Sequence, residues 1–195
     1  MTDERAQRVK DVLRYRQNDL TVVLENVEDP HNISAVMRSC DSVGIKEIYI
    51  VNTKLTPHRK FGARSSSGAR KWVMVQQFTS ISECMKVVRS HYNRVWSTHL
   101  SADAKNLYDL DLTNSTALVF GNEAKGLSAE MIAHCDGNFI IPQLGMSMSL
   151  NISVACAVSI FEAYRQKNLA GHYRQQKITE SEVADIKTFW KIYER

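Results

Sequence analysis

Residues 141–165 read IPQLGMSMSLNISVACAVSIFEAYR, and the reading of the whole chain turns on this stretch. An apolar pair followed by Pro142 marks the end of a buried strand. Gly145, Met146, Ser147, Met148 and Ser149 then make a loop of small or unbranched residues. An apolar-striped helix begins at or near Asn151, whose side chain suits an N-cap. Ser153, Ala155, Ala157 and Ser159 keep that helix slim. A strand, a loop and a slim helix in this order offer backbone amides to a ligand. An ordinary strand-to-helix junction has the same outline, and the stretch alone does not separate the two.

Upstream, strands and helices alternate. Residues 20–26, LTVVLEN, form a β-branched apolar run, a first buried strand. In the following DPHNISAVMRSCDSVG, Pro30 is expected to break regular structure and Asn32 to cap a helix. That helix has Ile33, Val36 and Met37 inward and ends at Gly44. Further strands are expected at residues 47–52, 72–75, 94–99, 116–121 and 138–142, and helices at 80–91 and 128–134. Residues 103–113 read as connection. An amphipathic helix is expected over 2–17. A last helix, 179–193, opens on the capping box Thr179 and Glu182 after a break at Ala170-Gly171. Such alternation predicts an α/β fold with a mostly parallel sheet and helices on both faces. Ligands of such sheets sit beyond the carboxyl ends of the strands. Three strand ends are candidates: Pro30-His31-Asn32, residues 121–126 and residues 142–151.

At 195 residues the chain suits a single domain, with helical extensions at 1–18 and 169–195. The charged opening MTDERAQR leaves no apolar run for an export signal. No apolar stretch approaches the roughly 20 residues of a membrane span. Cys40, Cys84, Cys135 and Cys156 lack paired spacing, which argues against a zinc site. A reduced, cytoplasmic setting is the simplest for them. No GxGxxG follows a strand, and GNEAKGL lacks the Lys-Ser/Thr pair of a phosphate loop. Neither a Gly-x-Ser-x-Gly elbow nor HExxH occurs. Most hydrolase and kinase readings are thereby excluded, and no catalytic metal is expected.

The net charge of +4 is modest, but it is clustered. Residues 54–71 contain Lys54, Arg59, Lys60, Arg64, Arg70 and Lys71 and no acid. Residues 165–177 contain Arg165, Lys167, Arg174 and Lys177 and again no acid. Either cluster alone reads as a solvated face. Two beside a candidate ligand loop point to a polyanion such as nucleic acid. Arg59, Lys60, Arg64 and Arg70 are the expected contacts. Arg8, Arg14, Arg174 and Lys191 on the terminal helices are further candidates. RSSSGARKW, with its Ser and Gly, predicts a flexible loop.

Three further features invite chemistry. Asn32-Ile33-Ser34 and Asn151-Ile152-Ser153 echo one another, each at a helix entry, although their flanks differ. Arg38 lies among apolar and small residues, where an arginine either reaches a phosphate or carboxylate or snorkels to water. Glu123 follows a strand-ending glycine, and pattern alone makes it a turn carboxylate.

Taken together, PHNISAVMR, LVFGNEAKGL and IPQLGMSMSLNISVA resemble the motif set of the SPOUT-class RNA 2′-O-ribose methyltransferases, the TrmH family, over residues 20–165. The resemblance implies a deep trefoil knot at the carboxyl end, a homodimer, and S-adenosylmethionine as cofactor. By position it implies cofactor contacts at Thr98, Gly121, Asn122, Glu123, Ala124, Lys125, Ile141 and Leu150. It implies a catalytic set of Arg38, Asn32, Glu123, Ser149 and Asn151. Arg38 would act either as base or as a phosphate clamp, and Asn32, Ser149 and Asn151 would orient ribose and cofactor. The short chain is similar to the members that methylate a D-loop guanosine of tRNA. Ribosomal-RNA methylation, or RNA binding without catalysis, remains the alternative.

Overall fold

The apolar runs align side by side in one parallel sheet. The structure is a computed structural model that describes residues 2–55, 68–147 and 149–192. In chain order the elements are α1 (Asp3–Tyr15), β1 (Leu20–Glu25), α2 (Pro30–Ser42), β2 (Glu47–Val51), β3 (Met74–Phe78), α3 (Ile81–His91) and β4 (Arg94–Thr98). There follow β5 (Lys105–Asn106), β6 (Thr116–Phe120), α4 (Ala129–Ala133), β7 (Gly137–Ile140), α5 (Ile152–Leu169) and α6 (Glu180–Phe189). The strand order is β3-β2-β1-β6-β4-β7-β5, and every pairing is parallel. Central β1 is buried along its whole length, as a parallel strand covered on both faces must be.

Alternate side chains build two cores. Val22, Leu24, Leu118 and Phe120 pack with Ile33, Val36 and Met37 of α2 and with Cys156 and Ile160 of α5. Val23, Tyr49 and Val119 point the other way, against Met85 and Val88 of α3 and Met131 of α4. Helices on both faces therefore follow from the two-residue period of the strands. Cys40 and Cys156 are buried free thiols on the first of these faces. Burial pushes the Cys40 thiol well above its ordinary pKa, which suits packing rather than reactivity.

Three expectations need correction. Asn32 does not cap α2. Asp29 is the cap, accepting from the His31 amide, and Pro30 occupies the first helical turn, where its missing N–H costs nothing. Asn32 therefore stands inside the helix with its side chain free for other work. The third strand lies at Met74–Phe78 rather than at 72–75, because Ala69–Lys71 forms a 3-10 turn that delays it. The connection at 103–113 contains a two-residue edge strand, β5, too short to leave a periodic signal. The expected cap Asn151 accepts a backbone amide and the Thr179–Glu182 capping box is complete; Thr2, Ser80 and Ser128 cap α1, α3 and α4 in the same way.

The first and last helices pack together beside β3, burying Val9, Leu13, Ile186 and Trp190. Arg16 ties them to the sheet and is fully buried. Its guanidinium donates to Asp41 at 2.6 Å, to the Ile45 carbonyl at 2.8 Å and to the Trp72 carbonyl at 3.0 Å. It also lies 5.3 Å from the Trp190 ring centroid. Burial lowers the pKa of this guanidinium, and the Asp41 carboxylate opposes the shift. Arg16→Met leaves these acceptors without a donor and is expected to cost about 3 kcal/mol. Urea unfolding checks this: the midpoint should fall with the slope unchanged.

Among the described residues no helix is long and apolar enough to cross a membrane.

Candidate active site

All three strand ends singled out in the sequence meet at the carboxyl edge of the sheet. The loops after β6 and β7, with the end of β4, enclose a cleft of about 680 Å³. Thr98, Gly121, Asn122, Glu123 and Ala124 line it, as do Ile141, Ser149, Leu150 and Asn151. Of the expected cofactor contacts only Lys125 is not on the wall. Its amide, like that of Ala124, is instead 2.9 Å from Asn122 Oδ1, which closes the turn. The Thr98 hydroxyl is spent on the Val119 carbonyl.

The turn at 121–126 is built by close backbone approach. Asn122 and Gly126 exchange two backbone hydrogen bonds of 2.9 Å. A Cβ on Gly121 would lie 2.3 Å from the Gly126 carbonyl carbon, so only glycine fits there. Asn122 Nδ2 then donates to the Asn26 carbonyl at 2.8 Å and to Glu28 Oε1 at 3.1 Å. The end of β1 thus holds the end of β6.

A directed chain of hydrogen bonds crosses the lip of the cleft. Ser153 donates to Asn151 Oδ1 through its amide at 2.8 Å and its hydroxyl at 2.6 Å. Asn151 Nδ2 donates to Asn32 Oδ1 at 3.1 Å, and Asn32 Nδ2 donates to Glu123 Oε1 at 2.9 Å. The Glu28 amide donates to Glu123 Oε2 at 3.3 Å. The two echo motifs therefore touch, through Asn32 and Asn151. Asn32 uses both ends of its amide to join its neighbours, so it positions Glu123 and Asn151. The Glu123 carboxylate faces water and keeps lone pairs for another donor.

Arg38 stands apart from this chain. It is six residues beyond Asn32 on α2, about 9 Å along the axis. It is exposed, is not on the cleft wall, and its guanidinium has no partner among the described residues. Of the expected RNA contacts, Arg59, Lys60 and Arg64 lie outside the described residues. Arg70 is exposed within the 3-10 turn. Arg8, Arg14 and Arg174 are exposed, and Arg14 donates to the Arg174 carbonyl at 3.3 Å. Lys191 is exposed just past α6.

Some of the wall escaped the sequence reading. Phe120 and Phe139 line the cleft with rings 6.5 Å apart, edge to face. Both lie at or next to the carboxyl end of a strand, and that position was the available signal.

Residues 19–161 match the model of the SpoU rRNA Methylase family. The tRNA (guanosine(18)-2'-O)-methyltransferase of Thermus thermophilus is 42% identical over 177 residues, covering 91% of this chain and 90% of that protein. The crystal structure of the Aquifex aeolicus TrmH/SpoU tRNA modifying enzyme superposes with a TM-score of 0.88 at 32% identity, over 97% of this chain and 96% of that one. The SpoU methyltransferase AviRb of Streptomyces viridochromogenes, solved in complex with the cofactor AdoMet, superposes with a TM-score of 0.71 at 28% identity, over 80% of this chain and 63% of that one. With its glycine-closed turn, its Asn151–Asn32–Glu123 chain and these likenesses in both sequence and structure, the protein belongs to the SpoU rRNA Methylase family.

Proposed function

We propose that this chain transfers a methyl group from S-adenosylmethionine to a ribose 2′-oxygen of tRNA, at the guanosine in position 18 for which its Thermus relative is named. The observation that carries the reading is the Asn151–Asn32–Glu123 chain at the lip of the cleft. Coverage of nine-tenths of that relative favours tRNA over ribosomal RNA as substrate.

The cleft fits the cofactor on its own chemistry. Its volume lies within the range of small-molecule sites. Ile141 and Leu150 offer apolar walls for an adenine, and the backbone of 121–124 offers polar groups for its edge. Exposed carboxylates of Glu28 and Glu123 beside the lip suit a cationic ligand. When bound, the cofactor supplies a methyl group on a positively charged sulfur. This chain's residues then orient the acceptor. Glu123 accepts the 2′-hydroxyl as a hydrogen-bond donor and takes up the proton that must leave as the oxygen–carbon bond forms. Ser149 and Asn151, next to it on the wall, hold the ribose in line. A guanidinium in a protein keeps its proton, so we assign Arg38 the role of phosphate clamp rather than base.

A knot and a homodimer belong to the same reading. Strand β7 lies between β4 and β5, although both precede it in the chain, which supports a carboxyl segment threaded through an earlier loop. Val154 and Phe161 leave α5 with an exposed apolar face, and Leu144 and Met146 are exposed in the loop before it. A second copy of the chain is the proposed cover. The helices at either end then serve as extensions that present basic residues to the RNA.

Mapping ribose methylation in tRNA from cells lacking this protein tests the substrate. Loss at position 18 is expected; loss confined to ribosomal RNA would overturn it. RNA binding should also weaken steeply with salt. If four basic side chains each neutralise a phosphate, the log–log slope is about −3. A filter-binding series at rising salt reads this directly, and a flat response would contradict an electrostatic footprint.

A further inference from the structure

One group on the cleft wall is still unused: the imidazole of His99. Strand β4 lies between β6 and β7, so its end stands between the two loops that form the cleft. Ser97 pairs with Val119 and Thr98 with Phe139. His99 comes next, level with Gly121 on one side and Ile140 on the other, with strands spaced by about 4.8 Å. It lines the cleft and is half-buried. Its ring has no hydrogen-bond partner among the described residues, whereas the neighbouring Thr98 hydroxyl is spent on the Val119 carbonyl. Asp103, whose charge reaches His99, is exposed and already accepts the Ser101 hydroxyl. Charge on the wall is sparse. Among its described residues none is lysine or arginine, Glu123 is the one carboxylate, and His99 is the one side chain that can carry positive charge.

S-adenosylmethionine carries two cationic groups, a sulfonium and an ammonium, and one carboxylate. Glu123 on the wall and Glu28 beside the lip suit the cations. The carboxylate is repelled by both and needs a donor elsewhere. Asn122 and Asn151 already direct their Nδ2 groups at Asn26, Glu28 and Asn32. We infer that His99 recognises the α-carboxylate of S-adenosylmethionine, donating to it through an imidazole N–H. The inference rests on the reading that the cleft takes this cofactor. An imidazole offers one N–H when neutral and two when protonated, so it serves in either state. His99 follows β4 and Glu123 follows β6, so the opposite charges of the ligand are met at separate points.

Removing the carboxylate from the ligand separates this contact from every other. Calorimetry is run with S-adenosylmethionine and with its decarboxylated form, on the parent and on His99→Ala. Expected in His99→Ala is a loss of about tenfold in affinity for S-adenosylmethionine, with the decarboxylated ligand bound within about twofold of the parent. His99→Gln keeps an N–H donor without the charge and should recover part of the loss. Melting temperatures should stay at the parent value, because the ring makes no hydrogen bond to the described residues. An unchanged affinity for S-adenosylmethionine in His99→Ala would overturn the inference. So would an equal loss of both ligands, which would put His99 against another part of the cofactor or give it a role in folding alone. A parent that binds neither ligand would instead remove the cofactor reading of the cleft, and the inference with it.

Discussion

Arg38→Ala is expected to lower methyl transfer by about a thousandfold while cofactor affinity and melting temperature stay at the parent values. The reasoning starts from what Arg38 does not do in the folded chain. Its side chain is exposed and has no partner among the described residues, while Val36, Met37 and Cys40 around it fill the core. Helix α2 therefore stands without it. An exposed arginine beside core residues, with no partner among the described residues, is available for an external anion, and its planar fork suits a phosphate. Arg38→Lys keeps the charge but loses the fork, so it should fall between the two. Single-turnover rates at saturating tRNA, with calorimetric titration of S-adenosylmethionine, give both quantities. Turnover within tenfold of the parent in Arg38→Ala would remove Arg38 from the reaction.

Gly121→Ala is expected to abolish cofactor binding by a different route. The added Cβ would lie 2.3 Å from the Gly126 carbonyl carbon, 2.5 Å from its oxygen and 2.5 Å from the Leu127 nitrogen. All three are backbone atoms, and none can swing aside. The paired hydrogen bonds between Asn122 and Gly126 must open, and Asn122 then loses its hold on Asn26 and Glu28. Overpacking of this kind costs about 1–3 kcal/mol, and the deformed turn is part of the cleft wall. A loss of cofactor affinity of at least about a hundredfold follows, some 2.7 kcal/mol. Gly126→Ala is the internal control. Nothing lies within 4 Å of its Cβ, and its φ of 65° costs only the left-handed penalty of about 1–2 kcal/mol. Calorimetry on both variants should separate them clearly; a Gly121→Ala affinity equal to the parent's would contradict a role of the turn in holding the cofactor.

Much of this arrangement was legible in the residues. The strands announced themselves as apolar, β-branched runs, because a parallel strand covered on both faces needs apolar side chains in both directions. Helix ends were readable wherever a cap was a simple Ser or Thr, as at Ser80, Ser128 and Thr179. Asp29-Pro30 misled because proline breaks a helix interior but is welcome in its first turn; the cap moved back three residues and freed Asn32. Strand order was not legible at all. No local pattern says that β7 enters between β4 and β5, since that is decided by contacts far apart in the chain. For the site, the motif resemblance supplied Asn32, Glu123 and Asn151. Their contact did not follow from it, because it depends on how α2, the β6 turn and the start of α5 converge.

The most direct test is a transfer assay with the purified chain, labelled S-adenosylmethionine and unmodified tRNA, followed by nuclease mapping of the label. The label should appear on the ribose 2′-oxygen of the D-loop guanosine and disappear in Arg38→Ala. Label on a base, or none on tRNA while ribosomal RNA is methylated, would contradict the account.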